Sequence, residues 1–310
     1  MAIGLRPFCS TGLSLTQVGL GCGGILRTKG RSAEAIPVIE EAALQGINYF
    51  DSIRAYTGSE GYYGEFWEKH PDLRRKIFQA CKSSAKDKAR AHTDLIYSMT
   101  YLGLDYLDLW QIHDVRTWKD VERIEGPGGA LEAFQEAKDT GIVRHIGVTG
   151  QSNPKVLEYC IARWPVDSVQ MPVNPLEAAP GGFIDIVQPA AENRGLTILG
   201  VKVLGGSHHI PFKGRITPEV LIRFALNQRI CVAIVSCSIP TEVDALARIG
   251  EEHMEMSPEE EMALVEAFRP YVGNLAYYRG YNLTADPFRV ILKGSARPPE
   301  ALMAQKDSDY

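Results

Sequence analysis

Six residues, Gly46-Ile47-Asn48-Tyr49-Phe50-Asp51, carry the plan of the whole chain. Gly46 stops a preceding helix, because glycine tolerates the left-handed backbone that ends one. Ile47 to Phe50 is a short apolar run of the kind that forms a buried parallel strand. Asp51 closes that run with a charge. The same order recurs twice downstream. Ile77-Phe78-Gln79-Ala80-Cys81 ends at Lys82, and Leu107-Asp108-Leu109-Trp110-Gln111-Ile112 ends at His113. Tyr56 follows Asp51 in the first connection. If these strands are parallel neighbours in a barrel, their C-terminal ends share one face. An acid, a phenol, an amine and an imidazole then converge, which is equipment for moving a proton while another group moves a hydride.

The alternation extends in both directions. Leu15 to Gly21 reads as a strand ending in the cluster Gly21-Cys22-Gly23-Gly24, and Ser32 opens a helix with apolar positions Ala35, Ile36, Ile39, Ala42 and Ala43. Further strands are expected over 144–148, 168–171, 196–203 and 231–235. Helices are expected over 60–69, 93–102, 129–140, 154–163, 184–193, 218–228, 242–249 and 257–268. Eight alternating units predict an α/β fold, a closed (β/α)8 TIM barrel. An open doubly wound sheet is the alternative. Against it, no G-x-G-x-x-G turn follows the first strand directly into a helix. The turn pair Thr11-Gly12 would be explained by an N-terminal β-hairpin plugging the barrel bottom. Residues 1–310 thus read as one barrel domain with its core at 13–268. Residues 274–310 have no period but contain Tyr277, Tyr278, Tyr281 and Phe288, and are expected to form a C-terminal loop extension over the barrel mouth.

Composition narrows the functional class. A chain of 310 residues with 45% hydrophobic and 23% charged residues and a net charge of −5 is an ordinary globular protein. Its Lys/Arg residues between 74 and 90 are interrupted and read mostly as a solvated face, so no nucleic-acid partner is expected. Spanning a bilayer takes about 20 consecutive apolar residues, and the sequence holds no such run. Met1 to Pro7 does not resemble a secretory signal. The six cysteines show no C-x-x-C pair and read as reduced, mostly buried thiols of a cytoplasmic protein. Adjacent His208 and His209 would not face one ligand on a strand, so no metal is expected. The expected partner is a small molecule, bound by a monomer or a homo-oligomer.

From about Leu13 to Phe268 the chain resembles the aldo-keto reductase family. The residues that carry the resemblance are Gly46 to Ser52, Tyr56-Thr57-Gly58-Ser59-Glu60, Ala80-Cys81-Lys82 and Leu102 to Leu109 before His113. Gly147-Val148-Thr149-Gly150 and Lys202-Val203-Leu204-Gly205-Gly206 resemble one largely bacterial-type branch. The family's catalytic tetrad maps onto Asp51, Tyr56, Lys82 and His113. The resemblance implies interconversion of a carbonyl and an alcohol with NADP or NAD, NADP being the family's usual choice. Tyr56 would exchange the proton. A free phenol has a pKa near 10, and a neighbouring ammonium such as Lys82 lowers it. Asp51 would balance Lys82, and His113 would donate a hydrogen bond where negative charge develops on the carbonyl oxygen. Taken singly, the same residues also read as a loop tyrosine, a structural ion pair and a core histidine.

For the cofactor, the resemblance implies Thr149, Gly150 and Gln170 at the carboxamide, with Gln151 as a substitute for a side chain that Gly150 lacks. It places Val201 at the nicotinamide face and Lys202, Leu204, Gly205 and Gly206 near the pyrophosphate. Ser236, Ser238 and Glu242 fall at the adenosine end, where relatives often place a basic residue for the 2′-phosphate. Ser238 stands there instead, Glu242 opposes a phosphate, and Ala245 and Leu246 replace an adenine-facing pair. Substrate contacts are expected from Ile25, Arg54, Trp118, Phe183 and Tyr278. With Arg116 and Arg123 near Trp118, these suggest an apolar or aromatic carbonyl compound with an anionic group. Two alternatives stand beside this reading. One is a sugar 1-dehydrogenase of the same fold, and the other a non-redox or regulatory barrel with weakened cofactor binding.

Overall fold

The computed structural model describes residues 2–9, 11–205 and 216–272. Gly206, His208, His209, Tyr278 and the rest of the expected C-terminal extension lie outside the described residues. Two short antiparallel strands, β1 (Leu5–Phe8) and β2 (Leu13–Thr16), precede eight parallel ones. These are β3 (Val18–Leu20), β4 (Tyr49–Asp51), β5 (Phe78–Ser83), β6 (Leu107–Ile112), β7 (Val143–Thr149), β8 (Ser168–Pro172), β9 (Thr197–Val201) and β10 (Val232–Val235). They close in chain order, with β10 pairing back onto β3 through Val235 opposite Leu20. The helices are α1 (Ser32–Leu44), α2 (Ser59–Lys69), α3 (Lys88–Leu102), α4 (Trp118–Glu125), α5 (Ala130–Asp139), α6 (Pro154–Arg163), α7 (Phe183–Asn193), α8 (Pro218–Asn227), α9 (Pro240–Glu251) and α10 (Pro258–Phe268). The expected (β/α)8 barrel is the observed fold.

Three local expectations change. The first strand, expected from Leu15 to Gly21, is two strands broken at Gln17, whose backbone N–H turns to the Gly4 carbonyl while its own carbonyl accepts from Ala233. Helix α3 starts at Lys88 rather than Thr93, because the Asp87 carboxylate accepts from the Arg90 N–H and caps it. The connection after His113, expected as a loop to Gly129, contains α4. Thr117 and Asp120 cap its N-terminus reciprocally, a signal present in the sequence. The basic stretch is also only partly solvated. Arg74 is buried and bonds Asp108 at 2.7 Å from beneath the barrel wall.

Strand alternation sorts the core into two layers. Phe50, Cys81, Trp110, Val148 and Val169 face outward and pack beneath the helices, where Trp110 stacks on Phe134 at 3.6 Å between ring centroids. Tyr49, Phe78, Ala80, Leu109, Leu199, Val232 and Ile234 face inward and fill the barrel with Phe8 and Leu15 of the hairpin. Phe8 is fully buried, 5.0 Å from Phe78 and 4.9 Å from His145. The hairpin therefore plugs the N-terminal end. Phe8→Ala should destabilise the fold by about 3–5 kcal/mol, read as a lowered midpoint in urea unfolding. A loss below about 1 kcal/mol would show that the plug is dispensable, since smaller effects are typical of surface positions.

Register sets the site at the other end. Asp51 pairs with Ala80, and Lys82 pairs with Gln111. Counting by two from the inward residues Tyr49, Ala80 and Leu109 makes Asp51, Lys82, Gln111 and His113 inward as well. Each lies at or just past a C-terminal strand end.

Candidate active site

Asp51, Tyr56, Lys82 and His113 all line one cavity of about 570 Å³ at the C-terminal mouth. Lys82 Nζ lies 2.5 Å from Asp51 Oδ2 and 3.2 Å from the Ser52 carbonyl oxygen, and both charged side chains are almost fully buried. Burial pulls the Lys82 pKa down, but the adjacent Asp51 carboxylate outweighs it, so the ammonium is held above its ordinary range. Gln170 also hydrogen-bonds Asp51, and its Oε1 accepts from Gln111 at 2.8 Å. The charge pair thus sits on a chain of inward amides.

His113 is half-buried, with Nδ1 3.1 Å from Ser84 Oγ. Burial pushes its pKa down to about 3; Asp114 opposes that shift, and Lys82, Lys86 and Arg116 add to it. The imidazole is therefore neutral near pH 7. Cys22 also lines the cavity, its Sγ 3.8 Å from Asp51 Oδ2. Burial raises its pKa to about 12, which excludes a resting thiolate nucleophile.

Two strained residues frame the mouth. Asp114, next to His113, has φ 51°, and Lys202, directly after β9, has φ 55°. Such conformations cost of order 1–3 kcal/mol and persist where surrounding structure imposes them. At Lys202 that structure is visible: its carbonyl accepts from Asn174 Nδ2 at 2.9 Å and from the Gly205 N–H at 2.8 Å.

The expected cofactor residues divide. Gln170, Val201, Lys202, Leu204 and Ser236 line the cavity, and so does Gln151. Thr149 is buried with its hydroxyl accepting the Asp114 N–H at 2.7 Å, and it does not line the cavity. Gly150 is likewise behind the wall. A Cβ there would come within 3.2–3.3 Å of the Leu157 side chain, a tight fit that would need Leu157 to shift by a few tenths of an ångström. Gly205 forms the turn after Lys202 rather than cavity surface. Ser238 and Glu242 are exposed at the start of α9, where the Ser238 N–H donates to the Glu242 carboxylate at 2.6 Å. An acid therefore already occupies that helix terminus.

None of the four described substrate candidates lines the cavity. Ile25 is buried in the core beside Leu26, and Phe183 is fully buried at the start of α7. Trp118 opens α4 and meets Tyr159 edge-on at 5.3 Å on the outer surface. Arg54 turns outward to Glu60 at 3.4 Å and lies over the rings of Tyr97 and Tyr101, 4.9 and 4.8 Å away. It braces the Tyr56 loop against α3. Sequence reasoning missed Arg27, Ile53 and Val203 as cavity residues. The only signal for Arg27 was its position just after the glycine cluster.

Comparison with known proteins gives a consistent picture. A family model described as the aldo/keto reductase family matches residues 17–209. YqkF of Bacillus subtilis, described as an uncharacterized oxidoreductase, is 24% identical over 197 residues, 59% of this chain and 60% of that protein. L-galactose dehydrogenase of Arabidopsis thaliana is 30% identical over 158 residues, 48% of this chain and 49% of that protein. The chain spans about half to three fifths of the length of these curated relatives. Among solved structures, the holo form of aldo-keto reductase AKR11C1 from Bacillus halodurans aligns with a TM-score of 0.71 at 19% identity, covering 85% of this chain and 96% of that one. Bombyx mori AKR2E4 in complex with NADP aligns at 0.66 and 18% identity, covering 86% and 93%. At these identities the structural likeness is one of fold.

Proposed function

The chain belongs to the aldo/keto reductase family, and from that premise we propose that it is an NAD(P)(H)-dependent oxidoreductase interconverting a carbonyl and an alcohol. One observation carries this reading: Asp51, Tyr56, Lys82 and His113 border a single cavity, with the Lys82 ammonium held by Asp51 at 2.5 Å. A nicotinamide dinucleotide, which Gln151, Gln170, Val201 and Lys202 would hold, would supply hydride in one direction and accept it in the other. Tyr56 gives the proton to the carbonyl oxygen in reduction and takes it back in oxidation. Lys82 stabilises the phenolate that remains. Asp51 makes a buried ammonium tolerable there, since an unpaired one would be costly. Neutral His113, in the tautomer whose Nδ1 accepts from Ser84 Oγ 3.1 Å away, would carry its proton on Nε2 and offer a hydrogen bond to the developing oxyanion.

The residues present suit the nicotinamide end of such a cofactor. Gln151 and Gln170 offer amides, Val201 an apolar face, and Lys202 a positive charge for phosphate. The carboxylate of Glu242 at the start of α9 suits a 2′-phosphate poorly. Glu242→Gln should therefore improve NADPH affinity about two- to fivefold relative to NADH, the size of one charge at a helix N-terminus. An unchanged affinity ratio in fluorescence titrations would place the 2′-phosphate elsewhere.

The direct test of the function is titration of the protein with NADPH and NADH, followed by NAD(P)H oxidation with a panel of aldehydes and ketones. Saturable binding and turnover support the reading. No binding of either at millimolar concentration would overturn it in favour of a non-redox barrel. The match to an L-galactose dehydrogenase favours one second reading, oxidation of an aldose at C1. Aldoses with NAD or NADP, assayed in the oxidising direction, separate the two.

A further inference from the structure

We propose that Gln111 is a positioning residue for the reaction: it fixes the direction of the Gln170 amide at the cavity wall, so that Asp51 and the carboxamide of the cofactor meet a preset side chain. The proposal deepens the oxidoreductase reading above and rests on it. Gln111 is fully buried, faces into the barrel and stands two positions before His113. It does not line the cavity, whereas Gln170 does. Two positions further back on the same face, Leu109 belongs with Leu199 and Ile234 to the apolar filling of the barrel. An amide at position 111 is out of keeping with those neighbours, and its hydrogen bonds give the reason for it.

Gln111 Nε2 donates to Gln170 Oε1 at 2.8 Å, and Gln170 hydrogen-bonds Asp51. An ionised carboxylate only accepts, so the Gln170 atom turned to Asp51 is Nε2. That leaves Oε1 for Gln111, which must meet it with its own Nε2. The charge on Asp51, itself held by Lys82 at 2.5 Å, therefore sets the direction of both amides. Reversing Gln111 alone would put oxygen against oxygen. The arrangement is not free of strain on the fold: Gln111 Oε1 has no hydrogen-bond partner among the described residues, and a buried acceptor without one is destabilising. A leucine would avoid that, so what the glutamine adds is its donor to Gln170. The contact also needs a gap. Gln111 is on β6 and Gln170 on β8, and β7 runs between them with Gly147 opposite both Gln111 and Ser168. A Cβ on Gly147 would lie 3.1 Å from Gln111 Cγ and 2.5 Å from Ser168 Oγ. Because glycine stands there, the Gln111 side chain can cross the inner face of β7. Gln170 is thus held at both ends of its amide, whereas an amide held at one end could turn and offer the cofactor either its oxygen or its nitrogen.

The test is a double-mutant cycle with Gln111→Met and Gln170→Met, methionine matching the length of glutamine without its amide. Turnover is assayed with NADPH and NADH on 4-nitrobenzaldehyde, whose electron-poor carbonyl accepts hydride readily, and cofactor binding is followed by fluorescence. Gln111→Met should lower kcat/KM about tenfold, the size of one buried hydrogen bond, and weaken cofactor binding. Its urea midpoint should stay close to wild type, because the orphaned Gln111 acceptor disappears as the Gln170 acceptor loses its donor. In the Gln170→Met background the same change should have no further effect, since Gln111 acts only through Gln170. In the cofactor-free protein the side-chain amide NMR signals of Gln170, identified by their loss in Gln170→Met, should shift in Gln111→Met. Wild-type kcat/KM in Gln111→Met overturns the proposal, and so do unmoved Gln170 signals. Losses that multiply in the double variant, together with a lowered urea midpoint in Gln111→Met, overturn it in favour of a packing role. A wild-type protein that binds neither cofactor and reduces nothing, with Gln170 signals that still shift in Gln111→Met, would keep the fixed amide and overturn the oxidoreductase reading alone.

Discussion

Tyr56→Phe is expected to lower turnover about 10²- to 10⁴-fold, the contribution typical of a positioned general acid, and to leave the fold and cofactor affinity unchanged. The substitution removes one oxygen. The loop is held by backbone bonds from the Tyr56 N–H to the Ile53 carbonyl and from the Ser59 N–H to the Tyr56 carbonyl, and neither involves the phenol. The ring remains beneath Arg27. Any carbonyl compound that the wild-type protein reduces serves as the probe, with NADPH titration and the urea midpoint as controls. Full turnover in Tyr56→Phe would remove Tyr56 as the proton donor. Loss of turnover together with loss of cofactor binding would point to a packing role instead.

Lys82→Met should abolish turnover and also destabilise the protein, by about 3–5 kcal/mol, because it strands Asp51 as an uncompensated buried charge. Asp51 is 1% exposed, and its Oδ1 already has no hydrogen-bond partner among the described residues. The sign of the pH dependence follows. Burial raises the Asp51 pKa, and Lys82 is the main influence lowering it. Without Lys82 the folded-state pKa rises further above the unfolded value of about 3.9. The folded state then holds a proton that the unfolded state releases, so the stability deficit is smallest in acid and grows as pH rises toward neutrality. Adding Asp51→Asn should restore most of the stability and none of the turnover. A single Lys82→Met variant as stable as wild type at pH 7 would contradict the view of Asp51 as a buried anion balanced by Lys82.

Together these variants separate two roles that the ion pair could have. A purely structural pair would lose stability in Lys82→Met and regain both stability and turnover in the double variant. A catalytic pair regains only the first. His113 gives a further contrast. Its imidazole is neutral because burial holds its pKa at about 3, which suits the proposed hydrogen-bond donor and not an acid that titrates near neutrality.

Much of the barrel was legible because its signals are local. A glycine after α1, α3, α5 and α7 (Gly46, Gly103, Gly141 and Gly195), a proline in the first turn of α6, α8, α9 and α10, and short apolar runs between them need only a few residues to be read. The misreadings were local as well. Asp87 and the Thr117–Asp120 pair are ordinary caps, and α4 has a clear apolar face at Val121 and Ile124, but it is mostly polar and only eight residues long, so it reads as a loop when composition is weighed over period. Gln17 breaks the first strand only because Gly4 and Ala233, far apart in the chain, each take one of its backbone groups.

The alignment of Asp51, Lys82 and His113 was already present in the sequence. Side chains alternate along a strand with a period of two, so a residue that ends an apolar run inherits its direction from neighbours two positions back. Which loop residues reach the cavity could not be read in this way. Ile25 and Phe183 point into the core because other elements leave apolar space for them, and Arg54 turns away because Glu60, Tyr97 and Tyr101 stand on the other side. Arg27 arrives at Tyr56 because Gly24 and Gly58 admit close backbone approach from segments far away in the chain. Strand periodicity is a property of the local backbone, whereas the direction of a loop side chain depends on what packs against it, and only the closed barrel brings those partners together.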